Sequence, residues 1–225
     1  MFSMHMTKSV RGVSEVTVMN DIHEFNLIVT GVGGQGSVLA SHIVAGAAVT
    51  KGLKVRVGET FGAAQRGGKV HSNVRIGDDV YGPLCPEESL NVLVGLEPNE
   101  TLRLAVRYAA PYTFIVTNTR PVPSMDNNIG ADTYPDIDEA LEGLRKLSKT
   151  VVAFDATELA MKAGNERTMN VVLLGALAAT GQLPYDEECL REAVRGAVPP
   201  KTVEANMKAF EYGFERCKVL LNKSI

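Results

Sequence analysis

The feature that most constrains this chain is a short apolar run that ends in glycines. Phe25–Thr30 has Leu27, Ile28 and Val29 at its centre, and Gly31-Val32-Gly33-Gly34-Gln35-Gly36 follows without a gap. A run of this length with no polar alternation reads as a strand buried on both faces. The glycines permit the positive φ values of a tight turn. In Ser37–Thr50, Val38, Leu39, Ile43, Val44 and Ala47 then recur at helical spacing, and Lys51-Gly52 closes the segment. Leu53–Val57 is a second strand. Strand, turn, helix and strand in this order predict a β-turn-α-β unit with parallel first and second strands.

The alternation continues. Gly58–Gly68 has four glycines in eleven residues and no apolar period, so it is expected as a loop. Val70–Ile76 alternates like a half-buried strand, and Gly77-Asp78-Asp79 predicts a hairpin turn with Val80-Tyr81 starting the return. Strands are expected at Asn91–Leu96, Thr113–Thr117 and Thr150–Phe154, and helices at Leu102–Ala109 and Asp138–Leu147. Between them Pro121–Pro135 reads as loop. Asp155 is placed to cap a helix running to about Ala163. The remainder is helical, over Met169–Thr180, Glu187–Gly196 and Val203–Leu221. The pattern predicts an α/β fold: a three-layer α/β/α sandwich with a mostly parallel, mixed sheet and a helical C-terminal tail. Residues 25–221 form its single domain. Residues 1–24 read as a disordered segment or a frayed extension that lacks the apolar core of a signal peptide.

Composition removes several classes of function. A formal net charge of −3 and a pI near 5.9 offer no basic face for nucleic acid. The three cysteines, Cys85, Cys189 and Cys217, are far apart in sequence, which suits neither a disulfide framework nor a four-iron cluster. They read as free thiols in a reducing, cytoplasmic setting. The four histidines, His5, His23, His42 and His71, form no zinc pattern. No apolar run reaches the ~18 residues of a membrane span.

Three glycine-rich or strand-end segments are candidates for binding. Gly31, Gly33, Gly34, Gln35 and Gly36 make a GxGxxG turn at a helix start, where free amides and the helix dipole attract phosphate. The same turn also fits a purely structural role or a partner contact. A nicotinamide site would add an acidic residue about 20 positions on; Glu59 comes 28 residues after Gly31 and leads into another glycine-rich stretch. That stretch holds Glu59, Phe61, Gln65, Arg66, Gly67 and Gly68. Its arginine, flanked by glycines, has a guanidinium free for a carboxylate or phosphate. Its Phe61 is an apolar group with nothing nearby in sequence to cover it. Asn118 and Arg120 lie at the end of a later strand, where a surface turn is the plainer account. Asp155 is a fourth candidate, although helix capping explains it.

These segments, in this order, resemble a known family. The pattern comprises Gly31–Gly36, Gly58–Gly68 leading into Val70–Arg75, Asn118–Pro123, Asp155-Ala156-Thr157, Asn170–Leu177 and Val203–Phe210. It is similar to the gamma-type domain of 2-oxoacid:ferredoxin oxidoreductases, most of all to the beta subunit of the indolepyruvate branch. The resemblance implies a division of labour in which a larger partner carries thiamine diphosphate, magnesium and the iron-sulfur clusters. The complex would oxidise a 2-oxoacid to an acyl-CoA, with coenzyme A as co-substrate and ferredoxin as electron acceptor. It would assemble as a dimer of heterodimers. Many indolepyruvate-type members carry Glu-Val-His-Gly-Met-Ser before Gln-Arg-Gly-Gly. Here the segment is Glu59-Thr60-Phe61-Gly62-Ala63-Ala64, which puts Phe61 at the histidine position. A nicotinamide-linked dehydrogenase and a free-standing acyl-CoA-binding protein stay open as alternatives.

Overall fold

The computed structural model describes residues 22–61, 67–123 and 134–223. Six strands form one sheet: β1 (Phe25–Val32), β2 (Val55–Phe61), β3 (Lys69–Ile76), β4 (Leu90–Gly95), β5 (Ala109–Asn118) and β6 (Thr150–Phe154). Their order is β2-β3-β1-β4-β5-β6. β1, β4, β5 and β6 are parallel, while β3 runs antiparallel to both of its neighbours, β1 and β2. The helices are α1 (Ser37–Thr50), α2 (Pro98–Tyr108), α3 (Ile137–Leu147), α4 (Ala156–Lys162), α5 (Met169–Ala179), α6 (Glu187–Ala197) and α7 (Val203–Asn222).

The sheet has helices on both faces. Leu27, Val29, Val74, Val94 and Val116 point into one apolar core with α1 and α4–α7. Ile28, Leu93 and Ile115 point into the other, against Leu104 and Tyr108 of α2 and Leu141 and Leu144 of α3. The expected three-layer α/β sandwich is therefore present.

Two expectations about connectivity are corrected. β1 and β2 do run in the same direction, but they are not neighbours, because β3 lies between them. The reason is burial. β1 is buried along its whole length, and β3 from Ser72 onward, whereas β2 carries Arg56, Glu59 and Thr60 and is exposed enough only for the sheet's rim. The hairpin is also misplaced in the sequence reading. It joins β2 to β3, so Gly58–Phe61 is strand and not loop. Gly77 ends β3 with φ 144°. The chain there bonds to the segment before β1: Asp78 N donates to Ile22 O at 2.9 Å and Asp79 N to His23 O at 3.1 Å. Residues 80–89 contain neither helix nor strand and lead to β4. Glu24 also belongs to the fold, accepting from Arg75 Nη2 at 2.7 Å.

The tail helix packs on α5 more than on the sheet. α5 is almost entirely buried, and α7 turns Phe210, Phe214 and Cys217 toward it. Arg191 of α6 lies over both phenyl rings, 5.0 Å and 5.6 Å from their centroids. α5 and α7 approach backbone to backbone at Gly175 and Gly213; a methyl added there would overlap the carbonyls of Phe210 and Val172. Gly46 in α1, by contrast, has open space around it. Gly213→Ala should therefore lower stability by about 1–3 kcal/mol through overpacking. Gly46→Ala should raise it by roughly 0.5–1 kcal/mol through helix propensity. Urea unfolding checks both, and equal effects would refute the packing account.

Candidate functional site

The carboxyl ends of β1, β4 and β5 lie side by side. α1 leaves β1 toward one face of the sheet and α2 leaves β4 toward the other, so a crevice opens between β1 and β4. Ligand sites of open α/β sheets collect at such a switch point. The glycine turn after β1 and the segment before β3 are joined there by two backbone bonds, Gly33 N to Gly68 O at 2.8 Å and Gly67 N to Gly33 O at 3.2 Å. Gly33 and the Gly67-Gly68 end of the second glycine-rich segment are thus neighbours in the structure.

The turn is filled by its own chain. Gln35 folds back: its Oε1 accepts from Val32 N at 2.8 Å and its Nε2 donates to Leu96 O at 3.4 Å. Gly31 must lack a side chain, because a Cβ would lie 2.6 Å from Gln35 Oε1 and 2.8 Å from Leu96 Cβ. Gly34 and Gly36 have φ of 108° and 86°. Asn170, at the start of α5, is buried and donates to Gly36 O at 3.3 Å. Nothing local in the sequence links Asn170 to the turn, 134 residues away.

Glu59 and Phe61 sit on β2 and face the α1 side. His42 Nε2 lies 3.0 Å from Glu59 Oε1. Phe61 is 59% exposed, and Leu39, one turn before His42 on α1, is 43% exposed. Gln65 and Arg66 fall outside the described residues. The arrangement argues against the nicotinamide alternative. With β3 interposed, β2 is two strand spacings, roughly 9–10 Å, from β1, and Glu59 is engaged by His42.

Asn118 is fully buried and acts as a clasp. Its Nδ2 donates to Leu96 O and to Thr157 Oγ1, both at 3.2 Å, and its Oδ1 accepts from Ala156 N at 2.9 Å. Arg120 is partly exposed and places Nε and Nη2 3.2 Å and 2.9 Å from Asp155 Oδ2. The other oxygen of Asp155 caps α4 by accepting from Glu158 N at 2.8 Å.

Glu97 was not among the sequence candidates. It is 1% exposed and caps α2, accepting from Glu100 N at 2.8 Å. It also accepts from Val122 N at 3.4 Å and from the Tyr134 hydroxyl in a short contact. Burial pushes its carboxyl above the ordinary value, against the lowering effect of those bonds. The acid before Pro98 does signal a helix start, but the signal says nothing of the distant Tyr134.

Comparison with known proteins agrees with this geometry. Residues 26–216 match the family model described as pyruvate ferredoxin/flavodoxin oxidoreductase. The chain belongs to that family. It is 44% identical to the indolepyruvate oxidoreductase subunit IorB of Thermococcus kodakarensis, over 88% of this chain and 98% of that one. The fold is shared with the gamma subunit of a keto/oxoacid ferredoxin oxidoreductase from Geobacter sulfurreducens. There the TM-score is 0.63 at 24% identity, over 87% of this chain and 99% of that one. It is also shared with part of the 2-oxoglutarate:ferredoxin oxidoreductase of Magnetococcus marinus, with a TM-score of 0.64 at 22% identity. That match covers 88% of this chain and 31% of the other.

For this member of the oxidoreductase family, the described residues hold no group of three or more His, Cys, Asp and Glu able to take a metal. Burial pushes Cys85 up to about 12 and Cys217 up to about 11, which keeps both thiols protonated. No helix among the described residues is long and apolar enough to cross a membrane.

Two predictions separate scaffold from surface. Asn118→Ala leaves several buried groups unpaired and should cost about 2–3 kcal/mol of stability. Arg120→Ala breaks a partly exposed pair and should cost under about 1 kcal/mol. Urea unfolding tests the contrast, which fails if the two variants lose equally. The second concerns His71 on β3. Burial, with Arg103 and Arg107 nearby, lowers its pKa from 6.5 to about 4. The unfolded chain takes up this proton below pH 6.5, whereas the folded chain refuses it until about pH 4. Stability should therefore fall as pH drops through that window. His71→Gln should flatten this slope, and an unchanged slope would assign the effect elsewhere.

Proposed function

We propose that this chain is the smaller subunit of an indolepyruvate-type 2-oxoacid:ferredoxin oxidoreductase, and that it performs no chemistry alone. The observation that carries the reading is the 44% identity to the Thermococcus kodakarensis IorB subunit across 98% of its length. The reaction is oxidative decarboxylation of an arylpyruvate to the acyl-CoA, with two electrons passed to ferredoxin. Thiamine diphosphate, magnesium and the iron-sulfur clusters belong to the larger subunit in this reading. What supports placing the clusters and the magnesium there is the donor set of this chain. Its three thiols are dispersed, two of them are buried and protonated, and no metal-binding group forms among the described residues. Reduced thiols suit a cytoplasmic complex.

The contribution of this chain is a surface. The carboxyl edge presents the Gly31–Gly36 turn, Gly67-Gly68 and Arg120, with exposed Phe61 and Leu39 to one side. An exposed aromatic such as Phe61 suits an interface core. On this reading the edge faces the thiamine-binding subunit and the coenzyme A side of the reaction, and the assembly is a dimer of heterodimers.

Purified alone, the chain should give no viologen reduction with indolepyruvate, pyruvate or 2-oxoisovalerate, even with coenzyme A and thiamine diphosphate added. Co-expressed with its larger subunit, it should elute at one-to-one stoichiometry and favour indolepyruvate. Turnover by the single chain, or failure to co-elute, would refute the proposal. Arg66→Ala should remove a charge-assisted contact of ~1.5–3 kcal/mol. That corresponds to about tenfold or more in the Michaelis constant for coenzyme A or in assembly. A variant complex unchanged in both would reduce Arg66 to a solvated surface residue.

A further inference from the structure

Leu96-Glu97 is where the carboxyl-edge motifs meet. Leu96 N donates to Thr30 O at 2.8 Å, and Leu96 O accepts from both Gln35 and Asn118. The next side chain, Glu97, is buried, and its carboxylate is bonded by neutral donors: the Glu100 amide on one oxygen, the Val122 amide and Tyr134 hydroxyl on the other. The nearby Arg103 is bonded to the adjacent Glu100 through Nε at 2.9 Å and Nη2 at 2.6 Å.

Capping alone does not explain a buried glutamate. The caps of α3, α4 and α6 in this chain are the shorter Asp136, Asp155 and Asp186. Burying a carboxylate without a cation is unfavourable, so a cap by itself would be better served by a solvated side chain. The longer Glu97 gains reach. One oxygen starts α2, while the other holds Val122 and Tyr134, which lie near the two ends of the connection between β5 and α3. That connection also carries Arg120, whose guanidinium is fixed on Asp155.

We propose that Glu97 is a positioning residue: it clamps Val122 and Tyr134, near the two ends of the β5–α3 connection, to the crevice between β1 and β4, so that Arg120 and Val122 meet the larger subunit as a preformed surface. The docking half of this inference rests on the subunit reading above. A preformed surface loses less freedom on association than one that must order itself. Burial of Glu97 is tolerable because every bond to it also orders a part of that edge.

The test uses the full chain and its larger subunit, with Glu97→Gln and Tyr134→Phe. Glutamine keeps the shape but turns an amide N–H₂ toward a donor on one side. Phenylalanine removes the Tyr134 half of the clamp and leaves the α2 cap intact. Hydrogen exchange of the free chain should speed up at least tenfold over residues 119–123 in both variants, with α2 unchanged in Tyr134→Phe. Titration into the larger subunit should show a dissociation constant about tenfold weaker, with kcat at saturating subunit retained. The double variant should be no worse than the poorer single one. A purely structural role would instead lower the active fraction and kcat at an unchanged dissociation constant. Unchanged exchange, or faster exchange with an unchanged dissociation constant, overturns the proposal. If the wild-type chain does not bind the larger subunit, the subunit reading fails, and exchange alone then decides whether Glu97 clamps the connection.

Discussion

The molecule depends on the close approach of β1 to β4 where Gly31 meets Leu96. A side chain at Gly31 would overlap both Gln35 and Leu96. With glycine there, Gln35 can fold inward and bond Val32 and Leu96, which ties the turn to both strands. The same Leu96 carbonyl receives Asn118 from β5, and Asn118 in turn holds the first turn of α4 through Ala156 and Thr157. Three strand ends are thus locked into one edge by side-chain amides. Because the polar groups are buried and paired, this edge is rigid at modest net energetic gain. A rigid edge suits a surface that another subunit must recognise.

That arrangement also changes what the glycine motif means. GxGxxG after a strand usually suggests a phosphate cradle. Here Gln35 and Asn170 fill the inner side of the turn, and the Gly33 backbone is tied to Gly67 and Gly68. These bonds hold the turn against the neighbouring segment before β3. Glycines are needed for close approach of backbone to backbone, much as Gly175 and Gly213 are needed where α5 meets α7.

Much of the fold was legible in the sequence, because strands buried on both faces announce themselves. Leu27-Ile28-Val29, Val92-Leu93-Val94 and Ile115-Val116 need no partner to be recognised. Strand order was not legible. Gly77-Asp78-Asp79 does signal a turn, but the Asp78 and Asp79 amides bond residues 22–23, and no local pattern reveals that. The place of β3 between β1 and β2 follows from which strand can afford burial, a comparison between distant segments. The site was legible in part. Both glycine segments stood out by composition, and the structure bonds Gly33 to Gly67 and Gly68. Asn118 drew notice as a strand-end residue, and in the structure it is a clasp within the scaffold. Glu97 escaped notice, and Asn170 stood out only as the start of a family segment, because their partners, Tyr134 and Gly36, are 37 and 134 residues away.

The central claim is that the carboxyl edge of the sheet is the working surface of this subunit. Hydrogen exchange of the chain with and without its larger subunit tests it most directly. The account predicts new protection over residues 31–36, 67–68 and 118–123 on assembly, with the amino ends of β4 and β5 and the outer face of α7 unchanged. Protection confined to the amino ends of the strands or to α7, with the carboxyl edge exchanging as in the free chain, would contradict it.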